Sequence, residues 1–411
     1  MIDIERGSRG FASPSALGRP RRRVAQRDAV WLVVALVAFF AVLTWLAPYS
    51  MYDETYDLAV YRTGALQVLH HHDPYAEPAG SFGPRFTYPP FAAVAFTPLA
   101  LGTLDVDRVA ATTISLACLL WLTLVAVRAR CPLPTGDLRL WAAVFAVAAL
   151  GLLFEPVRST LAFGQVNLLL AALVAVDLLA PPRRLPQGVL VGLAAGLKLV
   201  PALFIVYLLV TGRRRSAAVA LAVLAATVAV GLAAMPAAAW RFWSKLMLDT
   251  SRVGSLSYAG NQSLRGLLAR LIGQARASAL VWIVLAAAVL VVGLWVAVRL
   301  HRQGRELRAV CAVALAGLIV SPISWNHHWV WALPIALAAL PDDLTAPIGT
   351  WTFVAAGWCL LFILGPIWWA GSVRVGAWPA WSLPFTNAYA IAGMAMLGFF
   401  ALRTRGGGGL D

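Results

Sequence analysis

The chain has 411 residues, of which 61% are hydrophobic and only 12% are charged. Because a soluble domain carries about 25% charged residues, no water-soluble fold could bury this much apolar surface, and lipid must surround most of the chain. The formal net charge of +15 could suggest nucleic-acid binding, but the arginines cluster at the ends of apolar runs, as in membrane proteins. These properties predict an all-α polytopic membrane protein that contacts membrane lipids and binds no nucleic acid.

Several apolar runs are long enough to predict membrane-spanning helices, since about 20 residues cross the hydrocarbon. They are residues 30–47, 108–127, 138–155, 159–180, 216–234, 278–299, 347–370 and 385–402, with shorter apolar runs at 309–321 and 329–341. Segment 186–211 is apolar but too short for two straight spans. Lys198 and Pro201 near its middle predict two short or broken helices there.

The basic clusters orient these helices, because Lys and Arg concentrate in cytoplasmic loops. This rule predicts about twelve crossings with both ends of the chain inside. The predicted parts are a cytoplasmic basic arm (1–29), one transmembrane domain (30–402) and a cytoplasmic tail (403–411). Three loops then lie on the periplasmic side of the plasma membrane and are expected to form the active site: 48–107, 235–277 and 321–328.

The first of these loops places three carboxylates directly after a spanning helix. Asp53 and Glu54 are typical of a solvated helix cap. Asp57 is followed by Leu58 and Val60, so it lies where a polar residue enters an apolar surface. Such a carboxylate can accept a proton from a substrate hydroxyl. Asp57 is therefore the candidate catalytic residue, with Asp53 and Glu54 as rivals.

Two other segments of this loop have simpler interpretations. The consecutive histidines His70–His72 point in different directions and predict a surface turn rather than a metal site. Pro89 and Pro90 can start a helix but cannot lie inside one. Segment 91–101 is too short to span, so we expect an interfacial helix.

Lys198 is the only lysine inside an apolar stretch. A charge at that depth should face a cavity and a partner, such as a bound phosphate. Snorkelling to the interface, or a structural pair with Asp177, would also explain it. His327 and His328 lie between tryptophans and suit two roles equally well, as interfacial anchors or as donors to a lipid phosphate.

Five amide side chains are candidate substrate ligands, because Asn and Gln suit sugar hydroxyls: Gln165, Asn167, Asn261, Gln262 and Asn326. Arg265, close to two of them, suits a phosphate. The sequence contains no Walker motif, dinucleotide fingerprint or HExxH motif. We therefore expect no cofactor and no metal.

Six segments occur in an order that is typical of one enzyme family. They are Asp57-Leu-Ala-Val-Tyr61-Arg62, Phe86-Thr-Tyr-Pro-Pro-Phe91, Gly164-Gln-Val-Asn167, Gly192-Leu-Ala-Ala-Gly-Leu-Lys198-Leu-Val-Pro201, Asn261-Gln-Ser-Leu-Arg-Gly266 and Ser321-Pro-Ile-Ser-Trp-Asn-His-His328. The sequence resembles the polyprenol-phosphate-mannose-dependent α-(1→2) mannosyltransferases, glycosyltransferase family 87. Among them it is most similar to the actinobacterial enzymes of phosphatidylinositol mannoside synthesis.

The resemblance implies a GT-C fold, a periplasm-facing site, a polyprenyl-phosphate-mannose donor and a glycolipid acceptor. It also implies that the acidic residue at the start of the first large loop is the catalytic base, and that position matches Asp57. The expected inverting reaction moves mannose to a 2-hydroxyl of the acceptor. Tyr61 and Arg62 would position Asp57 beside the substrate. The donor phosphate would be held by residues from three later segments: Lys198, Arg265, His327 and His328.

Three other functions fit parts of the same sequence. A related reaction would transfer arabinofuranose from a polyprenyl-phosphate donor. A lipid flippase or secondary transporter would explain the broken helices and Lys198, but transporters often show an internal repeat, which is not visible here. A non-catalytic scaffold for envelope assembly is the third.

Overall fold

The computed structural model describes residues 19–50, 55–76, 85–180, 184–273, 279–343, 345, 347–371 and 378–404. Within these ranges the chain is helical and contains no named β-strand. An isolated antiparallel bridge joins Asn261 to Trp325. The predicted all-α class is confirmed.

The helices of the first half are α1 (Arg19–Ser50), α2 (Tyr56–Leu69), α3 (Pro90–Ala95), α4 (Leu104–Arg130), α5 (Leu138–Leu153), α6 (Glu155–Phe163), α7 (Asn167–Leu179), α8 (Val189–Leu197) and α9 (Leu203–Val210). Those of the second half are α10 (Arg214–Ala234), α11 (Pro236–Ser244), α12 (Leu264–Ile272), α13 (Ala279–Arg302), α14 (Glu306–Val320), α15 (Ala332–Ala338), α16 (Thr350–Leu364), α17 (Leu383–Thr386) and α18 (Ala388–Arg403). Short 3-10 helices lie at Thr97–Ala100, Val200–Ala202, Leu246–Leu248, Thr250–Arg252, Asn326–Trp331, Pro366–Trp368 and Ala380–Ser382.

Four helices in the described ranges are long and apolar enough to cross a bilayer alone: the part of α1 at Gln26–Leu46, α4, α10 and α13. Two bent pairs meet the same criterion if each pair is one span. They are α5 with α6, bent by 77°, and the segment Ala380–Thr386 with α18, bent by 59°. The chain is a multi-pass membrane protein. The predicted twelve crossings and the orientation in the bilayer stay predictions.

Helix α14 lies at the centre of the helical assembly. All thirteen of its residues from Leu307 to Ile319 are buried, including the charged Arg308. The long outer helices instead expose large apolar side chains, such as Val37 on α1 and Val291 on α13. Apolar side chains that face outward suit lipid rather than water.

The predicted span 159–180 is wrong, because the chain breaks at Gly164. Helix α6 ends there with a left-handed glycine (φ +66°), and α7 begins three residues later at Asn167. A Cβ at Gly164 would lie 2.8 Å from Cβ of Leu58, so only glycine fits against α2. The break leaves Gln165 free to make side-chain contacts that a continuous helix would prevent.

The predicted break in segment 186–211 is confirmed. Helix α8 ends at Lys198, whose backbone is extended (φ −152°, ψ 132°), and α9 follows after a short 3-10 helix. The alternative pair of Lys198 with Asp177 is excluded, because Asp177 lies at the opposite end of α8. There its Oδ2 accepts hydrogen bonds from the backbone N–H groups of Gly188 (3.0 Å) and Val191 (2.9 Å).

Two predictions on the first loop are also confirmed. A helix begins at Pro90, and the three histidines follow α2 as a turn in which His71 has φ +57°. The interfacial position of segment 91–101 stays a prediction. Asp53 and Glu54, the first residues of the arm (1–18) and the tail beyond 404 lie outside the described residues.

Helix α8 packs closely against α10 through glycines spaced four residues apart. A Cβ at Gly192 would lie 2.5 Å from the carbonyl oxygen of Ala220, and one at Gly196 would lie 2.4 Å from Oγ1 of Thr227. Small residues at this spacing let two helix backbones approach within a membrane. The contact holds α8, and therefore Lys198 at its end, in place.

We expect Gly192→Leu to lower the free energy of unfolding by about 1–3 kcal/mol, because the backbone oxygen of Ala220 cannot move away cheaply. The measurement is the thermal unfolding of the purified protein in detergent. Gly357→Leu on α16 is the matched control, since no atom lies within 4 Å of a Cβ there. Equal stability of the two variants would contradict this packing.

Candidate active site

A cavity of about 720 Å³ lies where the first loop, the break between α6 and α7, the break between α8 and α9 and residues 325–328, called here the histidine turn, meet. Its size falls in the range of about 300–1,000 Å³ that is typical of small-molecule sites. Its inner wall is polar and is formed by Asp57, Tyr88, Gln165, Lys198 and His328. Its outer wall is apolar and includes Leu203, Val206, Leu290 and Val320. A charged group with an apolar tail therefore fits it.

Asp57 lies in the first turn of α2, and the neighbouring Leu58 is almost fully buried. Burial raises the pKa of the Asp57 carboxyl above its ordinary value, because water no longer stabilises the charge. A hydrogen bond with Gln165 and the positive charge of Lys198 both oppose this rise. The carboxylate is thus a stronger base than an exposed one.

The amide of Gln165 is oriented by its neighbours. Its Oε1 accepts hydrogen bonds from the hydroxyls of Tyr61 (2.8 Å) and Tyr88 (3.3 Å) and from Nδ2 of Asn167 (3.3 Å). Since the oxygen is fully used, the amide nitrogen is the group left to donate to Asp57. Tyr61 is completely buried and its hydroxyl lies 2.8 Å from that of Tyr88.

Asn167 continues this network to Lys198. Its Nδ2 also donates to the carbonyl oxygen of His327 (3.0 Å), and its Oδ1 accepts from Nζ of Lys198 (3.0 Å). Hydrogen bonds therefore link Gln165 through Asn167 to the ammonium group of Lys198, and Asp57 lines the same cavity beside Gln165. The carboxylate and the cation lie on the same wall of the cavity.

His328 is placed between two donors that compete for it. Its Nδ1 accepts from the backbone N–H of Trp325 (3.2 Å), and its Nε2 lies 2.9 Å from Nζ of Lys198. A neutral imidazole has one acceptor nitrogen, so it cannot accept both bonds. An anion between Nε2 and Nζ would accept hydrogen bonds from both groups and remove the conflict.

Three other predicted residues lie away from the cavity lining. His327 is buried, its ring packs edge-on to Phe163, and neither ring nitrogen has a partner in the described ranges. Arg62 forms an ion pair with Asp107 (2.6 Å). Arg265 donates to Oγ1 of Thr250 (3.1 Å), a residue that does line the cavity.

The amide side chains of the second loop form hydrogen bonds with backbone groups of the protein. Asn261 and Gln262 are completely buried. Oδ1 of Asn261 accepts from the backbone N–H of Ser324 (3.0 Å), next to the histidine turn. Nε2 of Gln262 donates to the carbonyl oxygens of Ala259 and Thr386, both at 2.6 Å. Both residues therefore hold the wall of the site from behind.

Glu155 is a residue that sequence reasoning missed. This buried carboxylate accepts four hydrogen bonds: from Asn326 (2.6 Å), Ser159 (2.7 Å), Trp368 (3.1 Å) and Tyr389 (2.9 Å). It joins α6 to the histidine turn through Asn326 and to the C-terminal helices. An acidic residue at the end of an apolar run was the available signal, since such residues are rare in membranes and have partners.

No group of three or more His, Cys, Asp or Glu side chains that could hold a metal ion lies within the described part of the chain. The polar side chains that line the cavity include the carboxylate of Asp57, the ammonium group of Lys198, the imidazole of His328, the amide of Gln165 and the guanidinium groups of Arg85 and Arg252.

An all-helical, multi-pass chain with a carboxylate and cationic donors around a cavity of this size has the features of a membrane-embedded transferase. It belongs to glycosyltransferase family 87, whose sequence profile matches residues 86–322. No solved structure matches the chain.

Three curated relatives are similar over most of the chain. The polyprenol-phosphate-mannose-dependent alpha-(1-2)-phosphatidylinositol pentamannoside mannosyltransferase of Mycolicibacterium smegmatis is 36% identical over 93% of both chains. The protein of the same name from Mycobacterium tuberculosis (strain CDC 1551 / Oshkosh) is 35% identical over 92% of this chain and 88% of the relative. The polyprenol-phosphate-mannose-dependent alpha-(1-2)-phosphatidylinositol mannoside mannosyltransferase of M. tuberculosis (strain ATCC 25618 / H37Rv) is 36% identical over 76% of both chains.

We expect Glu155→Gln to reduce stability by about 1–3 kcal/mol and to lower kcat. Asn326, Ser159 and Trp368 donate to one carboxylate oxygen and Tyr389 to the other, so a neutral glutamine would accept weaker hydrogen bonds and would turn its NH2 group to the Tyr389 hydroxyl, which now donates. Thermal unfolding and steady-state transfer assays measure the two effects. Glu306→Gln, at the far end of α14, is the control, and it should leave kcat unchanged. Unchanged stability and turnover in Glu155→Gln would refute this role.

Proposed function

We propose that the protein is an inverting mannosyltransferase. It moves mannose from polyprenyl-phosphate-mannose to a 2-hydroxyl of a phosphatidylinositol mannoside and forms an α-(1→2) linkage. The observation that supports this proposal is that Asp57, Gln165, Lys198 and His328 line one cavity, with Lys198 hydrogen-bonded to Asn167 and 2.9 Å from Nε2 of His328. The names of the relatives provide the sugar, the carrier and the acceptor class.

In the proposed step Asp57 accepts the proton of the acceptor 2-hydroxyl as its oxygen attacks C1 of the β-linked mannose. The new C1–O bond forms while the bond from C1 to the phosphate oxygen breaks. Attack from the opposite face inverts the configuration to α, and polyprenyl phosphate leaves with the bonding electron pair. Gln165 favours the charged carboxylate, because its amide lowers the pKa of Asp57 and partly offsets the effect of burial.

The leaving phosphate is a stable anion, so it needs charge stabilisation rather than a strong acid. Lys198 and His328 are placed for this role, because both line the cavity and an anion relieves their competition. We propose that Arg265 and His327 support the wall behind them. The apolar side chains of α9 and α13 at the outer wall, Val206 and Leu290, offer a path for the prenyl chain.

We also propose a GT-C fold of about twelve crossings with the cavity on the periplasmic side of the plasma membrane. Arg130, Arg305 and Arg308 meet Asp342 at the beginning of α14. The cavity lies at the other end of this helix, at Gly317 and Val320. A helix rises about 1.5 Å per residue, so the two regions are about 20 Å apart. The arginine-rich end suits the cytoplasmic face.

We expect Asp57→Asn to reduce transfer about 10²–10⁴-fold, because the variant keeps the shape but loses the base. Formation of labelled glycolipid by purified protein, with each labelled polyprenyl-phosphate sugar, measures this. Asp105→Asn is the control, since Asp105 is exposed and pairs only with Arg108 on its own helix. A transporter or scaffold would keep its function in Asp57→Asn. Wild-type transfer activity in that variant would contradict the proposal.

The pH dependence of transfer should change when the positive charge of Lys198 is removed. Its positive charge lowers the pKa of Asp57, so Lys198→Met should raise that pKa further. The base is then protonated up to a higher pH, and the acidic limb of kcat/KM against pH should move upward. Lys198→Arg keeps the charge and should keep the limb in place. An unmoved limb in Lys198→Met would show that the two groups do not interact.

A further inference from the structure

A second group of positive charges lies at the same cavity, away from Asp57 and Lys198. Arg85, just before the Phe86–Phe91 segment, and Arg252, in the second loop, both line it. Arg252 interacts electrostatically with Arg85, Arg241 and Asp249, whereas Lys198 interacts with Asp57. The cavity thus contains two separate charge clusters.

The acidic residues that the structure describes near this second cluster do not neutralise it. Asp73 is paired with Arg241 (2.5 Å). Asp249 is exposed, and its Oδ1 accepts from the backbone N–H (3.1 Å) and the hydroxyl (2.5 Å) of Ser251. These two bonds hold the carboxylate of Asp249 at Ser251. Its negative charge therefore offsets only part of the positive charge of Arg85 and Arg252.

Within the described residues, both guanidinium groups have N–H donors that no acceptor uses. One nitrogen of Arg252 donates to the carbonyl oxygens of Phe86 (3.3 Å) and Tyr75 (3.4 Å), which holds the group at the cavity. Arg85 is exposed, and among the described residues none accepts a hydrogen bond from it. Burial and then the repulsion from Arg85 lower the pKa of Arg252. An anion between the two groups would relieve that repulsion.

The protein surface beside this cluster is apolar. Trp240 on α11 is 70% exposed and Leu248 is 82% exposed, and Leu248 also lines the cavity. Exposed Trp and Leu side chains next to arginines are typical of a surface that meets the headgroup region of a membrane. A lipid in the bilayer could reach the two guanidinium groups from this side.

We propose that Arg85 and Arg252 form a second anion subsite, which binds the phosphodiester of the glycolipid acceptor. This inference rests on the proposed function, which assigns the donor phosphate to Lys198 and His328. One cavity then holds the two phosphodiesters at separate positions, with the sugars between them. An uncharged acceptor gains nothing from this subsite.

The test uses Arg85→Gln, because the exposed Arg85 makes no hydrogen bond that folding needs within the described chain. We expect the KM for a purified phosphatidylinositol mannoside to rise about five- to tenfold with kcat nearly unchanged. The KM for an uncharged alkyl mannoside acceptor and the KM for the donor should stay at the wild-type values. Lys245→Gln removes an equal charge from an exposed residue outside the cavity lining and should change none of these constants.

Three results would overturn the subsite. They are an unchanged KM for the anionic acceptor, an equal rise for the uncharged one, or a rise in the donor KM, which would assign the cluster to the donor phosphate. Binding of a fluorescent phosphatidylinositol mannoside is measured in parallel without turnover. If the wild-type protein binds this lipid more tightly than Arg85→Gln but transfers no mannose, the proposed function is refuted and the anion subsite remains.

Discussion

The site depends on one short interruption of a helix. Gly164 takes a left-handed conformation that lets the chain turn between α6 and α7, and α2 packs directly against it through Leu58. The turn releases the amides of Gln165 and Asn167 to face neighbouring segments rather than their own helix. They then link to the ammonium group of Lys198, which is placed by the second broken helix, on the wall that also carries Asp57. Backbone irregularity is tolerated at depth because it lines a cavity.

The C-terminal half of the chain supports the same wall from behind. Glu155 draws four donors together, and one of them is Asn326, which begins the histidine turn. The amides of Asn261 and Gln262 fix the adjoining strand-like contact with Ser324 and the start of α18. Buried polar groups of this kind are costly unless every member is paired. The pairing of Glu155, Asn261 and Gln262 restricts the arrangement of this wall, in which Nε2 of His328 lies 2.9 Å from Nζ of Lys198.

The sequence pointed to Asp57 and Lys198, which line one cavity, whereas it did not predict the buried contacts of Asn261, Gln262 and Glu155. Asp57 and Lys198 interrupt apolar surroundings, and a charge there needs a cavity or a partner. Asn261 and Gln262 suit sugar hydroxyls and backbone carbonyls equally, so only packing distinguishes the two uses. The break at Gly164 was missed for a related reason. The apolar run continues on both sides of it, and hydropathy does not register a positive φ angle.

In the proposed mechanism the donor phosphate lies between Lys198 and His328, on the wall that also carries Asp57. The most direct test is an experimental structure of the protein with the product polyprenyl phosphate bound. We expect phosphate oxygens within hydrogen-bond distance of Nζ of Lys198 and Nε2 of His328, and a prenyl chain that extends along α9 and α13. A phosphate bound instead at Arg265, or on the arginine-rich face at the beginning of α14, would contradict it.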